Sequence, residues 1–208
     1  MKMYNYDFSV PVSTRDENNL IPELGKGLQK YNNADDESVD PTNTLGVFKK
    51  EIWPYISQNF NSKSHVLDVG AGNGRFSSFI ASHVDRVVAI DAFRELSDTH
   101  KRKNIEYQRT TFQDYEGPEF DVIFLFGVMY LQESWGLQEA LDKMALKLKP
   151  QGVIITVDDK KRDLSSHPTK QLPAGFYNLN ELCASSGLNR IEDFIQANNV
   201  HRITTLQK

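Results

Sequence analysis

The stretch "VLDVGAGNGR", residues 66–75, is an apolar run that carries one acid, Asp68, and opens into glycines at 70, 72 and 74. A dinucleotide-binding loop would read G-x-G-x-x-G, its last glycine letting the next helix pack and its helix N-terminus facing a pyrophosphate. Here the spacing is G-x-G-x-G, and Arg75 stands where that pattern places its third glycine. Asp68, two residues before the first glycine, puts a carboxylate where a phosphate would be repelled. The loop therefore reads as a cradle for a cationic, adenosine-type ligand, with neither NAD nor ATP favoured.

The flanks give the loop its context. Residues 64–69 read as a buried strand, and residues 75–84, with Phe76, Phe79, Ile80 and Val84 at helical spacing, as the helix after it. A second apolar strand at 87–90 ends in Asp91, which is 17 residues beyond Gly74 (91 − 74 = 17). That fits a short βαβ unit whose second strand carries an acid at its tip, able to accept hydrogen bonds from both hydroxyls of a ribose.

Taken in order, "VLDVGAGNGR", "VVAIDA", "TTFQDYEGPEFDVIFLFGVMYL" and "LKLKPQGVIITVDD" resemble class I S-adenosylmethionine (SAM)-dependent methyltransferases, over roughly residues 45–208. The resemblance implies an α/β fold. Its Rossmann-like, seven-stranded, mostly parallel sheet has the order 3-2-1-4-5-7-6, the last strand antiparallel and helices on both faces. It implies SAM as cofactor. Asp68, Gly70, Ala71 and Gly72 would hold the methionine moiety, and Asp91 with Ala92 the ribose. Gln113 or Asp114 beside Phe112 would hold the adenine amine, and backbone at Phe126 or Gly127 the methionine ammonium.

The remaining chain divides by pattern. Ile105–Arg109 reads as a third strand and "FDVIFLFG" as a fourth, apolar enough to be buried on both faces. Leu137, Leu141, Met144 and Leu148 make an amphipathic helix that "KPQG" ends, and "GVIITV" is a fifth strand. Asn178 with Glu181 marks a helix start and Gly187 its stop, after which two strands share an Asn-rich turn. Upstream, Leu45, Phe48, Ile52 and Ile56 share a helical face, with Thr44 as N-cap and Pro54 expected to end or kink the helix. Residues 44–208 form the expected methyltransferase domain. Residues 1–43 form an extension in which Tyr4, Tyr6, Phe8 and Tyr31 make either a lid or a surface tail.

Composition narrows the partners. The 208 residues carry 24 Lys and Arg against 28 Asp and Glu, a net charge of −4, without the broad positive footprint of a nucleic-acid enzyme. The basic stretches at 100–103 and 158–163 read as solvated charge. No apolar run reaches membrane-spanning length, and "MKMYNYDFSV" lacks a signal peptide's apolar region. A single cysteine, Cys183, permits no intrachain disulfide, which points to the cytoplasm. His65, His83, His100, His167 and His201 have no carboxylate or cysteine at ligand spacing, so the expected chemistry is metal-independent.

Methyl transfer from a sulfonium is an in-line displacement, so the protein must align the reactants, exclude water and, for a protonated acceptor, supply a base. Ligands of open α/β sheets gather at the carboxyl ends of the strands. The candidates there are Asp158 and Asp159, which can take a proton from an amine, His167 for a hydroxyl, and Tyr130 to position the acceptor. A small-molecule oxygen or nitrogen, such as that of a sugar or natural product, is the expected acceptor. A protein N-terminal amine and a non-catalytic SAM-binding module are the alternatives.

Overall fold

The computed structural model describes residues 45–92, 95–128, 137–161, 163, 177–196 and 199–208. Thr44, Tyr130, His167 and the 1–43 extension lie outside the described residues.

The strands are β1 (His65–Val69), β2 (Arg86–Asp91), β3 (Ile105–Arg109), β4 (Phe120–Phe126), β5 (Leu148–Asp159), β6 (Asn189–Ile195) and β7 (His201–Gln207). They form one sheet in the order β3-β2-β1-β4-β5-β7-β6, parallel except for β7, which runs antiparallel to both β5 and β6. This is the order implied by the sequence. Successive side chains of a strand face opposite ways, so the central strands feed two apolar layers. Leu67, Val69, Ile123, Leu125, Ile154 and Leu206 belong to one, and Val66, Val87, Val122, Phe124, Val153 and Ile155 to the other.

Helices close each layer. The helical segment at the N-terminal end of the described chain contains α1 (Leu45–Val47) and α2 (Trp53–Ile56), and α3 (Arg75–Ile80) follows β1. Phe48, Ile52, Ile56, Phe76 and Ile80 cover the second layer. The first is covered by Ala140, Leu141 and Met144 of α4 (Leu137–Leu146) and by Leu179, Leu182 and Cys183 of α5 (Leu179–Ser185). Cys183 is a free buried thiol whose pKa is pushed up to about 11 by burial. Among the described residues no helix is long and apolar enough to cross a membrane.

Several boundaries differ from the sequence reading. α3 stops at Ile80 instead of running to residue 84, because the Ser82 hydroxyl takes the Phe79 carbonyl at 2.6 Å and the chain turns there. Val84 is buried all the same. Pro54 does not end its helix. Its missing N–H is accommodated by a π turn at Phe48–Ile52, where the Trp53 N–H reaches the Phe48 carbonyl, and α2 resumes with the proline in its first turn. Leu148, read as the last apolar position of the helix that "KPQG" ends, lies outside α4, which stops at Leu146. β5 begins at Leu148 and the tetrapeptide makes a bulge, the register jumping from Phe120↔Leu148 to Val122↔Val153. Gly152 permits this, since an added Cβ would lie 3.0 Å from the carbonyls of Lys149 and Phe120. The predicted cap holds: the Asn178 side chain accepts the Glu181 N–H at 3.1 Å.

Candidate active site

The glycine loop leaves β1 with φ of +73°, +58° and +87° at Gly70, Gly72 and Gly74, values that residues with a Cβ rarely adopt. A Cβ on Gly70 would also press on the Val128 side chain and one on Gly74 on the Leu96 side chain, which would have to shift. The loop is fastened to the next strand. The N–H groups of Gly70 and Ala71 reach the Ile90 carbonyl at 2.8 and 3.0 Å, and the Gly72 N–H donates to Oδ2 of Asp91 at 2.9 Å. Asp91 is thus part of the loop's frame as well as the acid at the tip of β2, with Ala92 half-buried just beyond it.

Asp68 sits beneath this loop, 2% exposed, and Oγ of Ser77 on α3 donates to its Oδ2 at 2.5 Å. Burial lifts its pKa from 3.8 to about 7, against the opposing pull of the Ser77 hydrogen bond, and the negative charge of Asp91 adds to the rise. Two acids beneath and beside one loop favour a cationic guest, whose approach would favour the charged form of Asp68.

The base end follows β3. The Thr110 N–H donates to the Asp91 carbonyl at 3.1 Å, which sets the β3–β4 connection beside the tip of β2. Phe112 is buried, Gln113 half-buried and Asp114 exposed. Thr111 Oγ1 donates to Asp114 Oδ2 at 2.8 Å and accepts the Asp114 N–H at 3.1 Å, so the Asp114 carboxylate is engaged within its own turn. Beyond β4, Gly127 takes φ of +66° and donates its N–H to the Val157 carbonyl at 2.7 Å. Among the described residues a Cβ there would meet nothing within 4 Å. Phe126 stacks on Phe76 at 4.7 Å between centroids. The cofactor candidates therefore converge on the carboxyl ends of β1, β2, β3 and β4.

The acceptor-side candidates separate. Asp158 is 2% exposed and pairs in register with Arg202, whereas Asp159 is exposed, pairs with His201 and accepts the Lys161 N–H at 3.0 Å. Alternation along β5 sends the two carboxylates to opposite faces.

Three features were not legible as site elements. Asp163, in the stretch read as solvated charge, is buried: it accepts from Arg190 at 2.6 Å, from Arg202 at 3.0 Å, and from the Leu179 N–H at 3.0 Å at the start of α5. Its partners come from β6 and β7, so no local pattern could announce it. Tyr177, bridged to Asp163, is held well above its ordinary pKa by burial, with the charges of Asp158 and Asp163 adding and those of Arg202 and Arg190 opposing. His201 lies buried with its ring 5.3 Å from Phe126 and Nδ1 2.8 Å from Gln196 Oε1. Its nearness to β4 follows only from the antiparallel course of β7. The 100–103 stretch does stay at the surface, Lys101 pairing with Asp98 at 2.6 Å.

A three-glycine loop led by a buried acid, on a sheet of order 3-2-1-4-5-7-6, defines the class I SAM-dependent methyltransferase fold. The chain belongs to that methyltransferase family, the family model described as "Methyltransferase domain" matching residues 46–197. It is 32% identical over 107 residues to the ubiquinone biosynthesis O-methyltransferase of Rickettsia typhi, covering 48% of this chain and 43% of that one. It is 27% identical over 126 residues to the demethylmenaquinone methyltransferase of Leptospira interrogans, covering 54% and 49%. The chain thus spans about half the length of the curated relatives it matches. The N-methyltransferase NodS of Bradyrhizobium japonicum WM9, in complex with S-adenosylhomocysteine, superposes with a TM-score of 0.66 at 18% identity over 87% of this chain and 96% of NodS. DhpI, from a DhpI–SAM–HEP complex, gives a TM-score of 0.63 at 15% identity over 90% and 99%. These structural likenesses establish the shared fold.

Proposed function

We propose that the chain transfers a methyl group from SAM to an oxygen or nitrogen of a small-molecule acceptor, without a metal. The observation that carries the reading is the Gly70–Gly72 backbone fastened to Ile90 and Asp91 above the buried Asp68. The residues fit the cofactor. The positive φ at Gly70 and Gly72 turns the loop backbone in a way that side-chain-bearing residues rarely allow, and among the described residues the space beside Gly127 after β4 is open to a ligand. Asp68, Gly70, Ala71 and Gly72 would hold the methionine end, with Phe126 and Gly127 near its ammonium. Asp91 and Ala92 would hold the ribose, and Phe112, Gln113 and Asp114 the adenine. Bound SAM supplies an electrophilic methyl group on a cationic sulfur.

The chain's own residues then align the acceptor and handle its proton. Asp158, Asp159 and His167 are the proposed proton acceptors and Tyr130 the residue that positions the acceptor. Residues 1–43 are proposed as a lid or extension of the 44–208 domain, and the cytoplasm as its compartment. Relatives named for ubiquinone and menaquinone methylation support a small organic acceptor.

Calorimetry tests the cofactor: S-adenosylhomocysteine should bind and NAD and ATP should bind far more weakly, and tighter binding of NAD would end the reading. Replacing the residue among Asp158, Asp159 and His167 that takes the proton should lower turnover by about a hundredfold while cofactor affinity stays nearly constant. Turnover with labelled SAM and a panel of phenols, sugars and amines identifies the acceptor class.

A further inference from the structure

The connection from β3 to β4 is held from outside by two lysines one helical turn apart. Lys143, on α4, donates Nζ to the Gln113 carbonyl and sits 5.8 Å from the centre of the Phe112 ring. Lys147, just past the end of α4, donates to the Gly117 carbonyl at 2.7 Å and lies 6.0 Å from the Tyr115 ring. Each lysine thus clamps one carbonyl and one aromatic face of the same connection. The Lys143 side chain is 24% exposed, and its ion pair with Glu116, at 3.5 Å to a carboxylate that is 82% exposed, is a weak competitor for the ammonium.

The two clamps do different work. The Gln113 carbonyl and the Asp114 N–H belong to one planar peptide group. Lys143 binds its oxygen, and Thr111 Oγ1 binds its N–H at 3.1 Å. That peptide is therefore fixed at both edges, and with it the directions in which Gln113 and Asp114 leave the backbone, while the ammonium also holds the Phe112 ring. Lys147 grips the connection further on, at Gly117, beyond these three residues.

We propose that Lys143 is a positioning residue for recognition of the cofactor's adenine: from the helix after β4 it fixes the Gln113–Asp114 peptide and the Phe112 ring that present the base-binding surface. The proposal rests on the SAM-binding reading above. It explains why a lysine lies on the half-buried side of α4, where a solvated charge alone would not require one.

The test compares Lys143→Met, Lys143→Arg and Lys147→Met by calorimetry with S-adenosylhomocysteine and with 5′-methylthioadenosine, which keeps the base and ribose but lacks the amino-acid end. Lys143→Met should weaken both ligands by the same factor, about tenfold, because the released peptide and ring must then be ordered on binding. It should also speed amide exchange at residues 112–114 in the ligand-free protein. Lys143→Arg should restore most of the affinity, because a guanidinium can still donate to the carbonyl. Lys147→Met should lower the melting temperature and leave both affinities within about twofold of wild type, its contact lying outside the base-binding stretch. Wild-type affinity in Lys143→Met overturns the proposal, as does equal weakening by Lys143→Met and Lys147→Met, which would mark general loosening of the connection. Loss confined to S-adenosylhomocysteine overturns it too, by placing the effect at the amino-acid end. Failure of the wild-type protein to bind either ligand is a different result, and it overturns the SAM-binding reading itself.

Discussion

Asp91 joins an observed task, framing the glycine loop, to the proposed one of holding the ribose, and a substitution disturbs both together. Its Oδ2 accepts the Gly72 N–H at 2.9 Å, and its position at the tip of β2 suits it to a ribose diol. Asp91→Ala should weaken S-adenosylhomocysteine at least about tenfold, since each charge-assisted bond contributes roughly 1.5–3 kcal/mol. It should also lower the ligand-free melting temperature by about 2–4 °C, the effect of roughly 1 kcal/mol on a domain of this size. Asp91→Asn keeps one acceptor oxygen and should fall between; an alanine variant matching wild type in affinity moves the ribose site elsewhere. Asp68 makes the opposite trade. Its folded pKa, about 7, lies above the ordinary 3.8, so the fold prefers the protonated acid. The stability it contributes is fully present below about pH 4 and is lost as pH rises toward 7. Asp68→Asn keeps an acceptor for Ser77 without the buried charge. Its ligand-free melting temperature should exceed that of wild type at pH 8 and converge with it near pH 4, while its affinity for cationic SAM falls. Parallel melting curves across that range would show that Asp68 is not the titrating group.

At the scale of elements, β6 and β7 are tied to the end of β5 and the start of α5 through one buried carboxylate. The Asp163 side chain is 2% exposed and takes Arg190 and Arg202, while Asp193, 31% exposed, takes the same arginines from the rim. Removing one partner of a buried pair leaves the other charge uncompensated, at a cost of roughly 3–5 kcal/mol. Asp163→Ala should therefore cost several times more stability than Asp193→Ala, for which about 1 kcal/mol or less is expected. Urea unfolding decides, and equal losses would mean that the arginines find water when Asp163 is gone. This asymmetry also marks where the sequence stops being readable. β1, the glycine loop, β2 and the Asn178 cap carry their signal in runs of a few adjacent residues, and the pattern located them. The end of α3 at Ile80, the π turn before Pro54 and the bulge at Leu148–Gly152 are settled by competing hydrogen bonds and sheet register. Asp163 and Lys143 owe their roles to partners 27 and 30 residues away.

Across the whole molecule, the order of motifs through the fifth strand was enough to carry the family resemblance, and the resemblance implied the sheet order that the structure shows. What it left open was the pairing of faces: Asp158 and Asp159 look equivalent as letters and leave β5 on opposite sides. The cofactor candidates span the ends of four strands, so a ligand seated on them should stiffen the sheet as a unit. Ligand at 100 times its dissociation constant stabilises the native state by about 2.7 kcal/mol, and a domain of this size gains about 2–4 °C per kcal/mol. S-adenosylhomocysteine at that excess should therefore raise the wild-type melting temperature by about 5–10 °C. At the same ligand concentration the Asp91→Ala protein, bound tenfold more weakly, sits at only ten times its own dissociation constant and gains about 1.4 kcal/mol, roughly half the shift. Lys147→Met, with its affinity intact, should show the full wild-type increment from a lower starting temperature. Differential scanning fluorimetry on the three proteins with and without ligand measures all of this. An increment that is the same in Asp91→Ala as in wild type would mean that the ligand stabilises the chain from some other surface.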